Sequence, residues 1–142
     1  MKEIRNVTVL GAGSMGAQIA ILAAEAGFKV KLRDIEEKYL ERGRQIIEDL
    51  YAKRIKRGGL TEEKKRENLN RITFLLDMKE AVRDADLIIE AVPEIMSLKQ
   101  SVLRETYQYC PEDAVFATNT SSLSIAEIAA AGKKPERVVG TH

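Results

Sequence analysis

The chain has 142 residues, 23 of them basic and 22 acidic, for a net charge of +1. That length suits one domain with a real core, and the balanced charge leaves no global field to attract nucleic acid or a membrane surface. A single cysteine, Cys110, excludes an intramolecular disulfide and multi-cysteine zinc sites, and no metal ligands are assigned. An aromatic content of 5% without tryptophan argues against a base-stacking platform for single-stranded nucleic acid.

The N-terminal segment MKEIRNVTVLG passes directly from a charged tip into a strand, and no apolar run approaches the roughly 18 residues a membrane span needs. A cytoplasmic location is the resulting expectation. Short runs rich in Val and Ile then alternate with helical segments, the pattern of βαβ units on a parallel sheet. Strands are expected at about 4–10 (IRNVTVLG), 28–34 (FKVKLRD), 71–76 (RITFLL), 85–92 (ADLIIEAV), 114–119 (AVFATN) and 137–141 (RVVGT). Six strands in this length imply an α/β fold of the Rossmann type, a doubly wound, mostly parallel sheet.

After the first strand come Gly11, Gly13 and Gly16 in G-x-G-x-x-G spacing, opening a helix. The second strand ends in Asp34, 18 residues after Gly16. In that setting the loop is a dinucleotide fingerprint. Gly11 permits the tight turn, Gly13 lets a pyrophosphate approach the backbone, and Gly16 allows close packing of helix on sheet. Ala17, Ala20, Ala23, Ala24 and Gly27 keep the helix near the strands, and its N-terminus faces the pyrophosphate. No Lys-Ser or Lys-Thr follows, so a triphosphate P-loop is not supported. A carboxylate at Asp34 would accept bonds from ribose hydroxyls and repel a 2′-phosphate, favouring NAD over NADP. Arg33, whose guanidinium could share that pocket, leaves NADP as the alternative.

The crossover from Ile35 to about Asn70 is longer than a minimal one. Leu40, Ile47, Leu50, Tyr51 and Ile55 follow a helical period, so a long amphipathic helix is expected, ended by RGGL at 57–60. Thr61 before Glu62 and Glu63 reads as the N-cap of a second helix.

Beyond the fourth strand, Glu94 and Lys99 flank the next helix start: either they touch ligand, or Glu94 answers the helix dipole and Lys99 is solvated. Ser124 with Glu127 forms a capping-box pattern. Asn119, Ser121 and Ser122 are polar groups at the ligand edge, open to substrate or to a plain polar turn. The sixth strand delivers His142, the only histidine, to the same edge, where it is a candidate general acid/base.

VTVLGAGSMG, a strand ending in Asp34, DLIIEAVPE, ATNTSSLSI and RVVGTH occur in this order in the L-3-hydroxyacyl-CoA dehydrogenases, which the chain resembles along essentially its whole length. NTSSLSI with a histidine 21 residues after Ser121 is the most discriminating part. The resemblance implies a cofactor-binding set for NAD of Gly11, Ala12, Gly13, Ser14, Met15, Gly16, Asp34, Ala91, Glu94, Lys99, Asn119 and Ser121. It implies that His142 is the catalytic base, taking the proton of a 3-hydroxyl, with Ser121 beside nicotinamide and substrate.

The enlarged crossover would help hold the acyl-CoA substrate through the basic cluster Lys53, Arg54, Lys56 and Arg57, with Lys53 and Lys56 as candidate contacts; a solvated helix face is the alternative. Where relatives often place a serine for coenzyme A, this sequence has Asp49. Residues 1–142 are thus expected to be the NAD-binding domain, inactive alone, of an enzyme whose helical substrate and dimerisation domain follows, making the parent a homodimer. The rivals are a related 3-hydroxybutyryl-CoA or hydroxy-acid dehydrogenase, and a non-catalytic NAD-binding module.

Overall fold

The computed structural model describes residues 3–120, 123–132 and 134–141. Its strands are β1 (Asn6–Leu10), β2 (Lys29–Arg33), β3 (Ile72–Leu75), β4 (Leu87–Glu90), β5 (Val115–Asn119) and β6 (Val138–Thr141). The helices are α1 (Ser14–Glu25), α2 (Glu37–Lys56), α3 (Glu62–Asn70), α4 (Met78–Val82), α5 (Met96–Tyr107) and α6 (Ile125–Ala129). The strands pair in parallel in the order β3-β2-β1-β4-β5-β6, the doubly wound sheet expected from the sequence.

Every expected strand is present, shortened at its ends. The fourth loses most, and Asp86 stands just before it. Its amide still donates to the Asn6 carbonyl at 2.9 Å, and its Oδ2 accepts the backbone amides of Arg5 and Asn6 at 2.8 and 2.9 Å, fastening the start of β4 to the start of β1.

Alternation along the strands sends side chains to two cores. Val7, Val9, Val30 and Leu32 meet Ala17, Ala20 and Ala24 of α1 and Leu40, Ile47 and Tyr51 of α2 on one face. Leu10, Ile88, Phe116 and Val138 meet Met78, Val82, Leu103 and Ile128 on the other. Each such side chain, once buried, contributes about 1.5–3 kcal/mol relative to exposure. Ala17, Ala20 and Ala24 of α1 are 0% exposed and let the helix lie close to the sheet, while Ala23 is only partly buried.

The crossover forms as expected. Gly58, at φ +81°, follows the end of α2, and Thr61 Oγ1 accepts from the Lys64 amide at 3.1 Å to cap α3. The buried stripe of α2 is Leu40, Gly43, Ile47 and Tyr51, while Leu50 and Ile55 are only partly covered. α2 runs alongside α1 in the same direction: Gly43 lies against Ala12 near the start of α1, and Arg54 pairs with Glu25 at its end. Ser124 caps α6, its Oγ accepting from the Glu127 amide at 3.2 Å.

Candidate functional site

The strand order reverses between β1 and β4, so a crevice opens at their carboxyl ends. A cleft of about 570 Å³ lies there. The loop between β1 and α1 forms its floor, and two glycines are obligatory for that shape. Gly11 has φ +107°, and a Cβ on it would stand 2.7 Å from the Ala91 carbonyl oxygen. A Cβ on Gly16 would fall 1.7 Å from the Gly11 oxygen, so α1 packs directly on the turn. Gly13 is different. It N-caps α1 without a side-chain bond, and nothing lies within 4 Å of where its Cβ would be. An uncapped helix N-terminus beside open space has the geometry to receive a diphosphate.

Asp34 closes one end of the cleft. Its Oδ2 accepts the Ala12 amide at 2.8 Å and its Oδ1 the Ile35 amide at 2.7 Å. Each carboxylate oxygen retains capacity for another donor, such as a ribose hydroxyl. Arg33 lines the cleft too, but its Nε is tied to the Leu76 carbonyl at 2.9 Å. Ile35, Tyr39 and Arg42 complete this end, with the Arg42 guanidinium 5.6 Å from the Tyr39 ring centroid. Sequence reasoning missed these three; their place in the turn and first helical turns after Asp34 was the available signal.

At the other end stand Ala91, Glu94 and Asn119, as expected, with Val92 and Pro93 between. Gly11, Gly13, Ser14, Met15 and Asp34 line the cleft as well. Ala12 and Gly16 are buried behind the loop.

Lys99 is not the solvated helix residue that was its alternative. It is 0% exposed, and its ammonium sits 2.7 Å from Glu90 Oε2 and 3.5 Å from Glu94 Oε1. It also donates to the Asn119 carbonyl at 3.0 Å and approaches that of Val92 at 3.4 Å. Glu90, a charged residue 0% exposed at the end of a central strand, escaped sequence reasoning as part of an apolar run. Glu94 Oε1 accepts from Thr120 Oγ1 at 2.7 Å, which joins the exits of β4 and β5.

Ser121 and His142, the expected catalytic pair, and Ser122 lie outside the described residues. The last described residue, Thr141, pairs in register with Asn119. Lys53 and Lys56 are exposed near the end of α2, beside the end of α1 and not at the cleft. A 12-residue α1 separates them from the glycine loop by about 18 Å.

Comparison with known proteins gives a consistent result. The family model described as 3-hydroxyacyl-CoA dehydrogenase, NAD binding domain, matches residues 6–142. A probable 3-hydroxybutyryl-CoA dehydrogenase of Bacillus subtilis is 39% identical over 140 residues, which are 99% of this chain and 48% of that protein. Among solved structures, FadB2 of M. tuberculosis superposes with a TM-score of 0.96 at 37% identity, over 99% of this chain and 50% of that one. The 3-hydroxybutyryl-CoA dehydrogenase of Escherichia coli K12 gives 0.93 at 39% identity, over 99% and 30%. The chain therefore spans about half or less of the length of these relatives.

Proposed function

The chain belongs to the 3-hydroxyacyl-CoA dehydrogenase family as its NAD-binding domain, and from that membership we propose that it serves the NAD-dependent oxidation of 3-hydroxyacyl-CoA to 3-oxoacyl-CoA, a step of fatty-acid β-oxidation. The observation that carries this reading is the cleft at the strand reversal. Open space above Gly13, the Asp34 carboxylate at one end and the exits of β4 and β5 at the other match a dinucleotide laid across the sheet. Bound NAD supplies the hydride acceptor.

The chain's own residues bind, orient and move a proton. Asp34 receives the adenosine ribose, and the backbone at Gly13 and Ser14 receives the diphosphate. Arg33 is anchored on Leu76, which leaves Asp34 to set the preference for an unphosphorylated ribose. Ser121, two residues past Asn119, orients the 3-oxygen of the substrate. His142, directly after Thr141, takes the hydroxyl proton as carbon 3 gives up its hydride and the C=O bond forms. In this reading a helical domain beyond His142 orients the histidine and forms a homodimer, in keeping with relatives about twice as long. The chain by itself binds NAD without turnover, and the parent works in the cytoplasm on acyl-CoA without nucleic-acid or membrane partners.

The test is an NADH-absorbance assay of the full-length parent with 3-hydroxyacyl-CoA thioesters. Oxidation that disappears in His142→Ala supports the proposal; a parent that oxidises none of them refutes it. Contact of Lys53 and Lys56 with coenzyme A requires the substrate to lie along the outer face of α2. Their charge reversal then raises KM for a thioester and leaves a free hydroxy acid unaffected, whereas an unchanged KM assigns the cluster to solvation.

A further inference from the structure

β4 ends in Glu90, which pairs in register with Leu10 of β1 and Thr118 of β5 at the centre of the sheet. Two residues after Ile88, its side chain takes the same face and points toward α5. There Oε1 accepts from Thr118 Oγ1 at 2.6 Å, and Oε2 from the Val92 amide at 2.8 Å and Lys99 Nζ at 2.7 Å. Glu90 and Lys99 are both 0% exposed. Such a pair is a poor device for stability. Desolvation offsets most of the attraction, and apolar residues of like volume often do as well or better. What the pair does uniquely is fix positions. The carboxylate grips β5 through Thr118 and the β4 exit through Val92, and the ammonium it holds grips the Asn119 carbonyl and Glu94. Glu94 in turn takes the Thr120 hydroxyl, which also accepts the Leu123 amide at 3.1 Å. Two loops that line one end of the cleft are thereby bound to one buried charge.

We propose that Glu90 is a positioning residue for the nicotinamide half of the cofactor site, acting through Lys99 to set the Val92–Glu94 and Asn119–Thr120 segments. This rests on the cofactor reading above. It also gives Lys99 a definite role. The ammonium organises the loops from beneath, as its complete burial requires.

The test separates position from stability. In Lys99→Met the carboxylate is left buried and unpaired, so both melting temperature and NADH affinity fall. In the double variant E90Q/K99M no charge remains, the carboxamide oxygen of residue 90 still accepts from the Val92 amide while its NH2 donates to the Thr118 hydroxyl, and melting temperature returns close to the parent value. NADH affinity does not return. Its Kd stays raised by about tenfold, as for a lost charge-assisted contact, while ADP-ribose, which reaches only Asp34 and the glycine loop, binds within about twofold of the parent. Recovery of NADH affinity together with stability overturns the proposal, as does an equal loss for NADH and ADP-ribose. If the double variant does not fold, Thr118→Val removes only the hydroxyl on the other carboxylate oxygen. The same split between NADH and ADP-ribose is expected there at severalfold, and equal effects on the two ligands overturn the proposal. A parent chain that binds neither ligand refutes the cofactor reading itself, a separate outcome.

Discussion

Gly43→Ala sets two known effects against each other at one atom. Gly43 sits within the 20-residue α2, where alanine is the better helix former by about 1 kcal/mol. On an exposed face that substitution stabilises. Here the added Cβ would stand 2.9 Å from Ala12 Cβ and 2.9 Å from the Ala12 oxygen. Ordinary carbon contact begins near 3.5 Å, so α2 and the loop must part by roughly 0.6 Å or more. Overpacking of this kind costs about 1–3 kcal/mol. The net expectation is a loss of about 0–2 kcal/mol, a fall in Tm of roughly 0–10 °C for a domain of this size. The functional effect is larger in proportion. Ala12 donates its amide to Asp34 at 2.8 Å, so displacing Ala12 moves both the glycine loop and the ribose-binding carboxylate. Titration with NADH, followed by nicotinamide fluorescence, should show Kd raised by about tenfold, the equivalent of 1.4 kcal/mol. A variant with raised Tm and unchanged Kd would show that α2 does not brace the loop and would refute the reasoning.

Gly13→Ala gives the opposite division: with nothing within 4 Å of the new methyl, melting should hold or rise, while NADH binding falls by about tenfold or more because the diphosphate meets the methyl instead of bare backbone. Asp34→Ala removes the acceptor of the Ala12 and Ile35 amides and the ribose partner together; NADH Kd should rise by about tenfold or more, and the preference over NADPH should narrow when the two are titrated side by side. Burial pushes the Cys110 thiol and the Tyr107 hydroxyl above their ordinary ranges, so the folded state favours their protonated forms. The Cys110 part of that stability is fully present below the ordinary thiol range and is lost as pH rises from there through the raised folded-state value, so urea midpoints should decline from about pH 8.5 upward, with a shallower early decline in Cys110→Ala. Alkylation of Cys110 by iodoacetamide at pH 8 should likewise be slower than for a free thiol, and a rate equal to that of a model thiol would contradict the burial.

Much of this protein is legible in its sequence because the demands are local. Gly11 must hold a positive φ, Gly16 must lack a Cβ, Thr61 and Ser124 must cap the helices that follow them, and Asp34 must end the strand after the loop. Those are requirements on neighbouring backbone, so spacing along the chain expresses them. Val and Ile runs likewise declare a sheet buried on both faces. The strand ends were less legible, since the place of Asp86 at the start of β4 depends on the amides of Arg5 and Asn6, some 80 positions earlier, which its carboxylate accepts.

The tertiary structure alone decided the rest. Only the packing of α2 shows that Gly43 lies against Ala12. Glu90 reads as part of an apolar run, and Lys99 as either a ligand contact or a solvated helix residue, with neither read as buried. Their burial depends on Thr118 and Asn119, which lie far along the chain and arrive only when β5 pairs beside β4. A buried charge is tolerable only when partners from several elements converge on it. Local sequence holds no record of that convergence, and the folded sheet supplies it.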